Sequence, residues 1–89
     1  MPFEHPVTVY PVFEDDRVGE PIHGQGRDIS MRGMGLLVPY LPPTPRVCLQ
    51  FTWANGSVPL TLLAKVMSVE DGGDGRQAVG VFFVQNIVV

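Results

Sequence analysis

Arg46-Val47-Cys48-Leu49-Gln50-Phe51-Thr52-Trp53 alternates without a break. Val47, Leu49, Phe51 and Trp53 fall on one phase, and Cys48, Gln50 and Thr52 on the other. A period of two is the signature of a strand with one buried face. Ala54-Asn55-Gly56-Ser57 follows, and Asn-Gly is a strong hairpin signal because both residues tolerate positive φ. The returning segment, Val58 to Val69, carries Leu60, Leu62, Ala64 and Val66 on one phase and Leu63 and Met67 on the other. Leu-Leu-Ala-Lys has good helix propensity, so a helix over Leu60–Val69 is the rival reading. The hairpin geometry and the β-branched valines favour strand. With that choice the fold class is all-β.

The flanking segments agree. His5 to Glu14 places Val7, Val9 and Val12 against Thr8 and Tyr10, a strand with Pro11 near an edge or bulge. Asp15 to Gly19 is a polar turn, and Pro21 to Gln25 a weak strand. Arg27 to Leu37 opens as a polar, glycine-broken turn and runs into an apolar strand, Gly33 to Pro39. Tyr40 to Pro45 is a stiff proline loop. Glu70 to Gly75 is an acidic glycine loop. Gln77 to Gln85, apolar on both phases, reads as a strand buried on both sides. Six short strands with regular turn signals predict an antiparallel all-β domain. A small closed or half-closed six-stranded barrel best protects so many edges.

Composition limits the function classes. The 89 residues suffice for one domain, 1–89, and not for two. Nine prolines interrupt nearly every window of helical length. A net charge of −3 leaves no basic surplus for DNA, RNA or an anionic membrane surface. Cys48 is the sole cysteine, so no intramolecular disulfide forms and a reducing, cytoplasmic compartment is expected. No apolar run approaches the ~20 residues of a membrane helix, so no direct membrane insertion is expected. His5, His23 and Cys48 match no common metal spacing. No nucleophile–base pair or phosphate-binding P-loop is visible, so neither an enzyme nor a cofactor is expected.

The polar turn Asp28-Ile29-Ser30-Met31-Arg32-Gly33, followed by Met34-Gly35-Leu36 and later by Val79-Gly80-Val81-Phe82-Phe83, resembles the PilZ domain family. That family is marked by [D/N]-x-S-x-x-G, matched here by Asp28, Ser30 and Gly33, and by a final strand of the A-V-G-V-x-F type, here Ala78 to Phe83. The resemblance spans nearly the whole chain. It implies a six-stranded barrel that binds the bacterial messenger cyclic di-GMP in signal transduction, often as one piece of a larger protein. The family's second signature is an R-x-x-x-R segment just before the first strand. Here no two arginines stand four apart; Arg27 and Arg32 are five apart. Either the natural protein lacks that segment or the sequence begins just after it.

The resemblance assigns roles by position. Asp28 would accept from a guanine edge, Ser30 would hydrogen-bond through its hydroxyl, and Gly33 would let backbone approach the ligand without a Cβ in the way. From position alone, Arg27 or Arg32 would stack on a base or meet a phosphate. Read as residues only, Asp28 and Ser30 are also common turn-formers that bond their own backbone, and Gly33 and Gly35 also serve as turn and bulge glycines. Arg17, Arg46 and Arg76 read as solvated surface charges, and Trp53 and Tyr40 as core and rim aromatics. Two functions follow: a cyclic di-GMP module whose arginine arm is absent from this chain, or a degenerate PilZ-like barrel that binds a protein partner and no nucleotide. The acidic net charge favours the second.

Overall fold

A computed structural model describes residues 2–52 and 59–84. Six strands are present: β1 (Pro6–Val12), β2 (Ile22–Ile29), β3 (Gly33–Val38), β4 (Arg46–Thr52), β5 (Pro59–Asp71) and β6 (Gln77–Phe83). Among the described residues there is no helix. The order around the barrel is β1-β2-β3-β6-β5-β4, closed by antiparallel pairing of β4 with β1. The barrel is therefore two three-stranded meanders, β1-β2-β3 and β4-β5-β6, joined along two seams, β3–β6 and β1–β4. Closure leaves no open edge among the described strands to attract a foreign chain.

The alternation read from the sequence sets the interior. Val47, Leu49 and Phe51 of β4 are buried, whereas Gln50 and Thr52 face solvent. Val7 and Val9, Met34, Leu36 and Val38, Leu62 and Ala64, and Val79 and Val81 supply the other walls. No polar or charged side chain is buried among the described residues. Leu60–Val69 is strand throughout, as the hairpin argument requires; the Asn55-Gly56 turn itself lies outside the described residues. Pro11 pairs with Val47 at a point where β1–β2 pairing has already ended at Val9 and Ile22. Beyond β2 the Pro11 carbonyl accepts from the Gly19 N–H at 2.8 Å, so a turn segment rather than a regular ladder lies beside the residue that lacks a donor.

Three readings are corrected. The second strand runs through Ile29 rather than ending at Gln25, because the chain ahead of β1 lies against it: the Phe3 N–H donates to the Arg27 carbonyl at 2.9 Å and the Gly26 N–H to that of His5 at 2.8 Å. Phe3 then packs over Gly26, where a Cβ would lie 2.6 Å from its ring, and closes that end of the core edge-on against Phe51 at 5.3 Å. Glu70 and Asp71 belong to β5, paired with Ala78 and Gln77, so the turn is shorter than the acidic loop expected. The last strand is buried on one face only: Val79 and Val81 point in, whereas Phe82 is 53% exposed.

The β5–β6 turn is held by its own side chains. Gly73, Asp74 and Gly75 all adopt positive φ, and Arg76 grips the Asp74 carboxylate through Nε and a terminal nitrogen at 3.2 and 2.9 Å. That hydrogen bond holds the Asp74 carboxyl below its ordinary value of 3.8. A depressed folded-state value stabilises the turn above the unfolded value, and the benefit is lost as pH falls through the folded one. A carboxyl-detected NMR titration should show Asp74 protonating below 3.8, and Arg76→Gln should return its midpoint toward that value. In the core, Leu49→Ala removes a fully buried side chain. It should lower unfolding free energy by about 2–5 kcal/mol in a denaturant titration.

Candidate functional site

The motif turn joins β2 to β3 and is built from its own hydrogen bonds. Ser30 Oγ accepts from the backbone N–H of Arg32 at 3.2 Å and of Gly33 at 3.3 Å, while the Ser30 N–H donates to the Gly33 carbonyl at 2.9 Å. Asp28 Oδ1 accepts from the Gly35 N–H at 3.1 Å. Each side chain keeps unused capacity. The Ser30 hydroxyl accepts twice here and still has its proton to donate, and Asp28 Oδ2 makes no hydrogen bond among the described residues. The backbone-bonding reading of these residues therefore holds, and it leaves a donor and an acceptor pointing outward from a rigid turn.

Gly33 is buried rather than open. A Cβ there would fall on the Val81 carbonyl oxygen of β6, inside van der Waals contact. Its bareness serves the approach of β3 to β6. The Phe83 N–H then donates to the Arg32 carbonyl at 2.8 Å, which ties the turn to β6 beyond the strand pairing.

A bulge aims the acid. Gly26 pairs with Leu36 and Asp28 with Gly35, so Arg27 is an extra residue in β2. Strict alternation would put Asp28 on the inner phase with Gly24 and Gly26. The bulge instead turns Arg27 and Asp28 both outward and hands the inner position to Ile29, which is 2% exposed.

The arginines divide into two sets. Arg17, Arg46 and Arg76 each hold a carboxylate, Asp15 at 2.7 Å, Asp16 at 2.7 Å and Asp74 at 2.9 Å. The surface charges expected from the sequence are thus ion-paired, and Arg46 also reaches the Phe13 carbonyl at 3.4 Å. Arg27, just before the motif, and Arg32, within it, are exposed and make no ion pair among the described residues. The two free guanidiniums of the described surface therefore stand beside the motif.

A groove of about 410 Å³ opens over this turn. Asp28, Ser30, Gly33 and Gly35 line one side of it; Arg27 and Arg32 do not line it. The far side comes from strands distant in the sequence: Met67 and Ser68 of β5, Gly80 and Phe82 of β6. Sequence reading did not select these. One signal was present, since Ser68 is a polar residue on the inner phase of Leu62, Ala64 and Val66, which marks a break in the strand. A larger depression of about 590 Å³ at Phe13, Arg17 and Thr44 has its Arg17 already paired with Asp15. Among the described residues no cluster of His, Cys, Asp and Glu could hold a metal ion.

The sequence pattern of the PilZ domain family matches residues 3–88. The chain belongs to the PilZ domain family. Neither a curated protein nor a solved structure matches it significantly. PilZ domains are binding and regulatory modules, and membership places the chain in cyclic di-GMP signalling at the level of the family.

In this PilZ domain the motif's structural role is separable from any ligand. Ser30→Ala removes the acceptor of two backbone N–H groups and should cost about 1–2 kcal/mol of stability without ligand. Gly33→Ala should cost more, because its Cβ meets backbone that cannot give way. Chemical denaturation of both variants against the parent chain measures the difference.

Proposed function

We propose that the chain is a cyclic di-GMP-binding PilZ module whose ligand docks on the Asp28-x-Ser30-x-x-Gly33 turn. The observation that carries this reading is the pairing pattern of the arginines: those away from the motif are neutralised by aspartates, and Arg27 and Arg32 beside it are left for an anionic ligand. Asp28 Oδ2 suits the N1–H and N2–H₂ of a guanine edge, and the Ser30 hydroxyl suits an acceptor oxygen. The fork of Arg27 or Arg32 suits a phosphate. The bridge between Pro2 and Asp28 brings the chain entering the barrel to the motif itself. An arginine-bearing segment ahead of it would close on the ligand at that point, ordering an arm against the barrel.

A second reading rests on the absence of an R-x-x-x-R pair and on the net charge of −3, which both disfavour a doubly anionic ligand. The barrel then serves as a protein-interaction domain. Under this reading, Asp28→Ala and Ser30→Ala change partner binding or stability and leave nucleotide affinity at zero.

Calorimetry decides between them. With no arm arginines, the 89-residue chain should bind cyclic di-GMP more weakly than micromolar, since two missing bidentate arginines are worth ~1–3 kcal/mol each. Arg27→Ala with Arg32→Ala should weaken binding further and flatten its salt dependence. Asp28→Ala should abolish it. Micromolar or tighter binding by this chain would show the arm to be dispensable. No binding by a chain carrying arm arginines would remove the nucleotide reading.

A further inference from the structure

The groove has a second built rim opposite the motif. Register places Asp28 opposite Gly35, Gly35 opposite Gly80, and Gly80 opposite Ser68, a row across β2, β3, β6 and β5. The two central positions are bare, and side chains fold over them from both ends. A Cβ on Gly35 would lie 2.7 Å from Asp28 Oδ1, and one on Gly80 would lie 2.7 Å from Ser68 Oγ. A carboxylate and a hydroxyl thus face each other across a glycine floor two strands wide, each strand of the row about 4.8 Å from the next.

Both ends of the row are made by the same device. In β5, Val66 pairs with Val81 and Ser68 with Gly80, so Met67 is an extra residue. This bulge turns Met67 and Ser68 outward together, as the β2 bulge does for Arg27 and Asp28. Bulges interrupt the ladder and concentrate beside binding sites, where they re-aim side chains. Beside Ser68 the rim is apolar. Met67 and Phe82 are each 53% exposed and both line the groove. Ser68 Oγ makes no hydrogen bond among the described residues, and the Phe82 ring lies over the bare Gly33, its Cδ1 3.2 Å from where a Cβ would stand.

We propose that Met67, Ser68 and Phe82 form a base-binding rim that takes the flat face of one purine of the ligand. The Ser68 hydroxyl meets the purine's edge, and Asp28 and Ser30 hold the opposite rim. The proposal rests on the cyclic di-GMP reading of the motif. It makes the β5 bulge a determinant of specificity: a flat aromatic face is favoured over a sugar phosphate lacking a base.

The test is an NMR titration of the unaltered chain, labelled at methionine methyls and phenylalanine rings, with cyclic di-GMP to millimolar concentration and ribose 5-phosphate as the baseless probe. With the dinucleotide, the Met67 methyl and Phe82 ring should move by ring-current shifts in step with the Ser30 and Gly35 amides. With ribose 5-phosphate they should stay still. Phe82→Ala should weaken binding about ten-fold, with Val18→Ala, an exposed apolar residue away from the groove, unchanged. Motif amides that move while Met67 and Phe82 stay still, with Phe82→Ala binding like the parent, would overturn the rim and leave the motif reading intact. No shift at any of these residues up to millimolar dinucleotide would overturn the rim, and the motif reading would then stand or fall on the calorimetry of a chain carrying arm arginines.

Discussion

The close approach of β3 to β6 at Gly33 is the constraint on which the rest of this barrel depends. Two meanders, each foldable through short-range hairpins, become one closed sheet only where their outer strands meet. At Gly33 the fit leaves no room for a methyl group beneath the Val81 carbonyl. The same seam continues through Gly35 and Gly80 and carries the backbone bond from Phe83 to the Arg32 carbonyl. Closure buries Val79 and Val81 against Met34, Leu36 and Val38 and removes the exposed edges of β3 and β6.

The candidate site is a consequence of that seam. The motif turn caps it, and the groove runs directly over it. Asp28 and Ser30 spend part of their hydrogen-bonding capacity on the turn and keep the remainder facing out. Such double use pre-orders the groups a ligand would meet, so little conformational entropy remains to be lost on binding. It also explains why a turn-forming reading and a ligand-binding reading of the same two residues do not exclude one another: one oxygen of Asp28 is structural and the other is available. The electrostatics point the same way. Aspartates cancel Arg17, Arg46 and Arg76 within their own neighbourhoods, so a chain of negative net charge still presents uncompensated positive charge at Arg27 and Arg32.

Much of this was legible beforehand. The alternation at Val47, Leu49 and Phe51 specified a strand and its buried face, and the match of Asp28, Ser30 and Gly33 to a family pattern located the motif. Three things were not legible. Read locally, Arg27 and Asp28 belong to a turn, because nothing nearby in the chain announces that Phe3 and His5 pair with the backbone beside them and extend β2. Phe82 reads as part of a strand buried on both sides because an apolar side chain looks the same in sequence whether it faces a core or a groove. Met67 and Ser68 went unselected because their strand is far from the motif in the chain.

What the sequence alone determined is the set of strands, the phase of most of them and the chemistry available at the turn, since these follow from side-chain period and local backbone preference. Tertiary structure decided which strands meet, in what register, and where a bulge shifts the phase. Ser68 lies across from Gly80, and Gly80 from Gly35, through long-range ladder pairing, and an extra residue in β2 and another in β5 turn both rims outward. A one-residue slip in either strand would reverse the faces of everything beyond it. The position of Asp28 relative to Ser68 is therefore a property of the closed barrel and of no segment within it.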